Sequence, residues 1–113
     1  MSNEEIVAAC MEVLKSVDYH DTAERHERLF LTAYQIWQTL KGNDHAICAD
    51  LIRKSKGDFV GKNAGSHDGP VRRIANALGR CAEIETQYLG TRHLEIAALE
   101  LPGLDCGIFR LFD

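Results

Sequence analysis

The sequence is poor in the features that mark a metal site, a redox site or a membrane segment. Its four cysteines, Cys10, Cys48, Cys81 and Cys106, include no C-x-x-C pair, so neither a zinc site nor a redox motif is indicated. Three of them fall on apolar positions, which is typical of small buried thiols. We therefore expect reduced, structural cysteines. The longest stretch without a charge, residues 29–40, is too short and too polar to cross a bilayer.

Signatures of catalysis are also missing. The five histidines form no H-E-x-x-H motif, and the sequence contains no G-x-S-x-G motif, which argues against a zinc hydrolase and against a serine hydrolase. Lys62 follows Gly61, but Asn63 stands where a phosphate-binding P-loop requires Ser or Thr. The sequence therefore predicts a protein that is not an enzyme and that binds no metal or cofactor.

The composition is that of an ordinary globular domain. With 113 residues, 45% of them apolar and 27% charged, the chain is long enough for one hydrophobic core and indicates a single domain over residues 1–113. The residues that follow the initial Met are acidic, whereas the start of a secretory signal peptide is basic. We expect a cytoplasmic protein.

The net charge of −4 conceals an uneven distribution along the chain. Residues 1–50 hold four Lys and Arg against nine Asp and Glu, residues 51–80 hold seven against two, and residues 81–113 hold two against six. The middle segment is therefore basic, with a charge of +5 between acidic flanks. Such a segment can concentrate an anionic partner even on an acidic protein, although a solvated charged face has the same composition.

A pair of helices is predicted in the N-terminal part of the chain, residues 1–42. Apolar residues recur at helical spacing over residues 3–17, which predicts the first helix. A second helix is predicted over residues 22–41, with Asp21 as its N-cap and Gly42 at its end.

The apolar faces of these two predicted helices are wide. Leaving several large apolar side chains exposed is unfavourable, because the burial of each contributes about 1.5–3 kcal/mol. Either the faces are shared within the core or one of them lies in a subunit interface, and we expect a homodimer. Trp37 shares its helical sector with Phe30, Ala33, Tyr34 and Leu40. We expect Trp37 to lie in the core or in the interface rather than to stack on a base.

Two further helices are predicted in the middle of the chain. Asp44 is the candidate N-cap of a third helix, which ends at Lys54. A fourth helix is predicted over residues 70–80, with Pro70 in its first turn and Gly79 at its C-terminal end.

The pattern changes from helical to strand-like after the fourth helix. Polar and apolar residues alternate over residues 82–89 and 93–99, with Gly90 between the two runs, which predicts a β-hairpin. A third strand is predicted over residues 106–112, and residues 58–60 are a candidate for one short strand. The predicted fold is α+β, with about four helices followed by a small antiparallel sheet.

The predicted fourth helix is the most informative segment for function. Its apolar residues fall within a sector of about 100°, which predicts a buried stripe. The opposite side carries Arg72, Arg73, Asn76 and Arg80. Arg72, Asn76 and Arg80 follow one another at intervals of four residues and form a row along the exposed side. Arginine binds guanine edges or phosphates and asparagine binds adenine, although an ordinary solvated helix face has the same spacing.

A basic amphipathic helix that leads into a β-hairpin resembles the winged helix-turn-helix family. The resemblance covers roughly residues 44–100 and gives the C-terminal part, residues 43–113, a winged-helix-like architecture. In that family the last helix lies in the major groove, and the hairpin wing touches the neighbouring backbone. The resemblance implies that the polar side of the fourth helix faces DNA, with Arg92 and His93 at or near the tip of the wing.

These patterns favour a small nucleic-acid-binding or regulatory protein without enzymatic activity, which docks through the basic helix and the hairpin. The candidate residues for contact with nucleic acid or another partner are Arg72, Arg73, Asn76, Arg80, Lys62, Arg92 and His93. The alternative is a protein–protein interaction module, such as an acidic accessory or inhibitor protein, that binds no nucleic acid. The salt dependence of DNA binding distinguishes the two, because phosphate contacts release counterions.

Overall fold

The computed structural model describes residues 3–21, 23, 26–55, 69–89 and 106–112, which contain four helices and five strands. In chain order these are α1 (Asn3–Lys15), β1 (Tyr19–Asp21), β2 (His26–Arg28), β3 (Leu31–Thr32), α2 (Ala33–Gly42), α3 (Ile47–Lys54), α4 (Pro70–Gly79), β4 (Ile84–Leu89) and β5 (Cys106–Leu111). The predicted α+β class, with four helices and a small antiparallel sheet, is confirmed.

The larger sheet has three strands in the order β3–β5–β4. β5 is central and antiparallel to both neighbours, so that Phe109 lies opposite Leu31 on one side and opposite Thr86 on the other. β1 and β2 form a separate two-stranded antiparallel sheet. The predicted strands at β4 and β5 are confirmed, whereas those over residues 58–60 and 93–99 lie outside the described residues.

The predicted helix over residues 22–41 is wrong in its first half. β2 and β3 occupy that part of the chain, and α2 begins at Ala33. Thr32 caps α2, because its hydroxyl accepts a hydrogen bond from the backbone N–H of Gln35 at 3.1 Å. The side-chain oxygen of Gln35 accepts in turn from the backbone N–H of Thr32 at 2.9 Å. This reciprocal capping box fixes the start of the helix well after the predicted cap at Asp21.

The third helix also begins later than predicted, and Asp44 is not its N-cap. Asp44 has a φ of 50°, in the left-handed region that Asp tolerates better than most residues. The first free N–H of the helix, that of Ile47, is instead bound by Nδ1 of His45 at 3.1 Å. Nε2 of the same ring lies 3.2 Å from the carboxylate of Glu12. His45 therefore satisfies the start of α3 and ties it to α1.

One hydrophobic cluster joins the four helices to the larger sheet. Trp37 is completely buried in it, as the sequence predicts, and the ammonium of Lys41 lies 5.3 Å from the centre of its ring. Cys10 is also completely buried, and burial raises the pKa of its thiol to about 12. That thiol therefore stays protonated at neutral pH and packs as a small apolar group.

The face of the larger sheet that points away from the helices is organised around Arg110. Its guanidinium binds the carboxylate of Glu85 through Nε and Nη2, both at 2.9 Å, and lies 3.6 Å from the carboxylate of Glu27. It also donates to the backbone carbonyl of Arg28 at 3.2 Å and lies 4.2 Å from the ring centre of Phe30. Arg110 thus attaches the segment from β2 to β3 to the outer face of the sheet.

The Arg110–Glu85 pair predicts a pH-dependent contribution to stability. Hydrogen bonds from Arg110 hold the pKa of the Glu85 carboxyl below its ordinary value of 4.5. Because the pKa is lower in the folded than in the unfolded protein, this contribution is complete above the unfolded value and is lost as the pH falls through the folded value. The melting temperature of Glu85→Gln is therefore expected to lie below that of the native protein at neutral pH, and the gap should close in acid.

Thermal unfolding of both proteins across the acidic range measures this gap. Glu83→Gln removes an exposed carboxylate at the residue that immediately precedes β4, and it is the matched control. A gap between native protein and Glu85→Gln that stays constant from neutral pH into strong acid would contradict the assignment.

Candidate nucleic-acid interface

The structure confirms the predicted helix α4. Gly69 is its N-cap in an extended conformation, Pro70 occupies the first turn and Gly79 is the last residue. Proline suits the first turn because the N–H that it lacks would have no partner there. The buried stripe consists of Pro70, Val71, Ile74, Ala77 and Leu78. This stripe packs against α1, α2, α3 and β4, so the opposite side of the helix is turned outward.

The outward side presents Arg72, Asn76 and Arg80, which we call the α4 row. All three residues are exposed. Their side chains form no hydrogen bond or ion pair with any residue that the structure describes. At 1.5 Å per residue the row extends about 12 Å along the helix axis, with Asn76 at its middle. Two guanidinium groups and an amide are therefore available to a ligand along one helix face.

Arg73 has a different role from the other candidates on α4. It is half-buried, and its Nη2 donates a hydrogen bond of 2.7 Å to the backbone carbonyl of Lys54. That carbonyl belongs to the last residue of α3, where a positive charge also suits the negative end of the helix dipole. Arg73 thus joins α4 to the end of α3. Because Arg72 and Arg73 are adjacent and of the same type, the sequence alone does not predict that their side chains have different roles.

The described residues of α4 and of the end of α3 carry mainly positive charge. α4 itself contains no Asp or Glu. The last turn of α3 adds Arg53 and Lys54, of which Arg53 forms an ion pair with Asp50 in its own helix. The remaining candidates, Lys62, Arg92 and His93, lie outside the described residues, as does the predicted tip of the wing.

Tyr88 is an exposed aromatic residue on β4 that the sequence does not single out as a contact. It shares a strand face with Ile84, whose side chain is buried. Tyr88 itself is 69% exposed. Its partner across the ladder is Gly107, which has no side chain to cover the ring. The sequence alone does not predict this pairing register, which leaves the ring of Tyr88 exposed.

The described residues offer hydrogen-bond donors and positive charge in this region rather than a metal centre. Across the described ranges, no group of three or more His, Cys, Asp or Glu side chains is placed to hold a metal ion. None of the helices in those ranges has the length and apolar character needed to span a membrane. The α4 row is suited to a ligand that accepts hydrogen bonds and carries negative charge.

Comparison with protein families, with curated proteins and with solved structures found no match to this chain.

Proposed function

We propose that this protein binds duplex DNA through α4, without enzymatic activity, and acts by docking in a regulatory role. The observation that carries the proposal is the α4 row, in which Arg72, Asn76 and Arg80 are exposed and unengaged by other described residues. Here they stand on a helix that has no acidic residue.

The dimensions of α4 suit the major groove of B-DNA. A helix with its side chains is about 10–12 Å wide, and the major groove is about 12 Å wide. An asparagine amide can bind N6 and N7 of adenine, and an arginine can bind O6 and N7 of guanine. Asn76 and Arg72 are the pair we assign to base edges. Arg80, at the C-terminal end of the row, extends the positive charge toward a phosphate.

The strands that follow α4 in the sequence support the proposal that α4 is the DNA-binding helix. β4 starts soon after α4 and pairs antiparallel with β5. The predicted partner strand over residues 93–99, on which the winged-helix resemblance also rests, lies outside the described residues. Glu85, the one acidic residue of β4, is bound by Arg110 on the sheet face that points away from the helices. Its charge is therefore compensated and turned away from α4.

The test compares native protein with a variant that lacks two members of the α4 row. Native protein is expected to bind a fluorescently labelled duplex of mixed sequence, about 20 base pairs long, at low ionic strength, with log affinity falling linearly against log salt. Arg72→Ala combined with Asn76→Ala is expected to weaken binding at least about tenfold. If Arg72 contacts a phosphate, the salt slope should also fall by about one.

Lys15→Ala is the matched control, since it also removes one exposed positive charge, but from α1. It should leave the affinity within about twofold of native. Equal losses in the control and in the double variant would show general charge attraction rather than a site on α4. Absence of salt-dependent binding to any duplex or single strand at low ionic strength would end the DNA proposal. Arg72 and Asn76 would then be tested for binding a protein partner.

A further inference from the structure

A shallow groove of about 330 Å³ runs between α1 and α4. We call it the α1–α4 groove, and its lining consists of Asn3, Glu4, Val7, Ala8, Met11, Ala77, Arg80 and Cys81. Its floor is apolar, and charged side chains occur only at its edges. The groove is separate from the part of the α4 row that we assign to base edges.

The apolar side of α1 continues beyond what the core of one chain buries. Ile6, Cys10 and Val13 lie in the core, whereas Val7 and Met11 are only partly buried against it. Val7 and Met11 are one helical turn apart and therefore lie side by side in the groove. The sequence predicts a wide face on this helix, and Val7 and Met11 are the part of that face that the core leaves accessible.

The charged edge of the groove carries both signs. Glu4 and Arg80 are exposed, and both line the groove. Neither forms an ion pair or a side-chain hydrogen bond within the part of the chain that the structure describes. An occupant that forms an ion pair with each of these two side chains presents one basic and one acidic group beside an apolar strip.

We propose that the occupant is a second copy of this chain, which packs its own α1–α4 groove against the first in a two-fold dimer. A two-fold contact is made by the same patch on both copies, so each contact occurs twice. Glu4 of one copy then meets Arg80 of the other, and Arg80 of the first meets Glu4 of the second. Val7 and Met11 of the two copies close over each other, with the small side chain of Ala8 allowing the helices to approach.

The size of this surface sets the strength of the dimer. α1 has 13 residues and is about 20 Å long, so a contact along it falls below the area typical of stable interfaces. Self-association should therefore be weak. Arg72 precedes Ala77, which lines the groove, by five residues and lies about 140° around the helix from it. The dimer thus leaves Arg72 accessible and does not depend on DNA binding. It engages Arg80, which therefore contacts either a DNA phosphate or Glu4 of the second copy.

A charge swap tests the pairing directly by sedimentation equilibrium without nucleic acid. Native protein is expected to show a concentration-dependent mass that rises toward that of a dimer by about 100 micromolar. Glu4→Arg alone and Arg80→Glu alone should each weaken self-association about tenfold, because each places like charges together twice. The double variant Glu4→Arg/Arg80→Glu restores opposite charges and should return to within about threefold of native.

Lys15→Glu reverses a charge on the same helix outside the groove and is the matched control, expected to dimerise as native protein does. A native protein that stays monomeric at about 100 micromolar would overturn the proposal. A native dimer that neither single reversal weakens would overturn it as well. Failure of the double variant to recover, with its circular dichroism unchanged, would rule out the Glu4–Arg80 contact and so the proposed arrangement.

Discussion

Leu78→Ala is expected to lower the free energy of unfolding by about 2–5 kcal/mol. The side chain of Leu78 is completely buried, and it lies on the stripe of α4 that packs against the other helices. Removing its terminal carbons loses apolar burial and leaves a cavity that the surrounding side chains fill only in part. Urea denaturation followed by circular dichroism measures the change.

The control for Leu78→Ala lies on the other side of the same helix. The Arg72→Ala/Asn76→Ala double variant should change the free energy of unfolding by less than about 0.5 kcal/mol for each position, because both side chains are exposed. The two variants thus separate the packing side of α4 from its proposed binding side. A Leu78→Ala protein as stable as native would show that this position is not part of a rigid core.

Arg28→Ala is expected to destabilise the protein by about 1–2 kcal/mol. Nη1 of Arg28 lies at the C-terminal end of α1, 3.0 Å from the carbonyl of Lys15 and 3.5 Å from those of Leu14 and Val17. Its guanidinium also lies 4.6 Å from the ring centre of Tyr19. The substitution removes charge-assisted hydrogen bonds to helix carbonyls together with a cation–π contact.

Urea denaturation gives the global effect of Arg28→Ala, and hydrogen exchange locates it. The amides of Ser16 and Val17 bond to carbonyls in the last turn of α1 and should exchange faster in the variant than in native protein. Arg28→Lys keeps the charge but not the planar guanidinium, so its loss of stability should be intermediate. Unchanged exchange at both amides would contradict a capping role for Arg28.

The sequence was sufficient for the elements whose local signals agree with one another. In α4, the apolar period, Pro70 in the first turn and Gly79 at the end all indicate the same helix. The period of the apolar residues predicts which side of α4 is buried. The exposure of Arg72 and Asn76 on the opposite side was therefore also predicted from the sequence. The alternating residues of β4 likewise predicted a strand.

The segment from Asp21 to Thr32 was not predictable because its local preference and its tertiary role conflict. It is rich in Glu and Arg, which favour helices. Two of its residues, Glu27 and Arg28, instead have partners elsewhere in the fold: the carboxylate of Glu27 lies near Arg110, and the guanidinium of Arg28 lies at the end of α1. Contacts with such distant residues leave no periodic signal, and they override helix propensity.

In the candidate site, too, the roles of single side chains could not be predicted from the sequence. Arg72 and Arg73 are adjacent and chemically identical, so residue type alone predicts ligand binding equally for both. The bond from Arg73 to the carbonyl of Lys54 depends on how α3 and α4 pack. The same holds for the capping of α3 by the ring of His45, since Asp44 is the more usual capping residue type.

The central position of β5 in the larger sheet constrains the order in which the chain folds. β5 follows every other described element in the sequence, yet within the described residues β3 and β4 are joined in the sheet through it. Helices can form from local contacts early, whereas the ladder between Leu31 and Phe109 must close about two thirds of the chain into a loop. Until β5 arrives, Ile84 lacks its strand partner Leu111, and the helical core has one open side. β5 therefore connects β3 to β4 in the described sheet and covers the open side of the helical core.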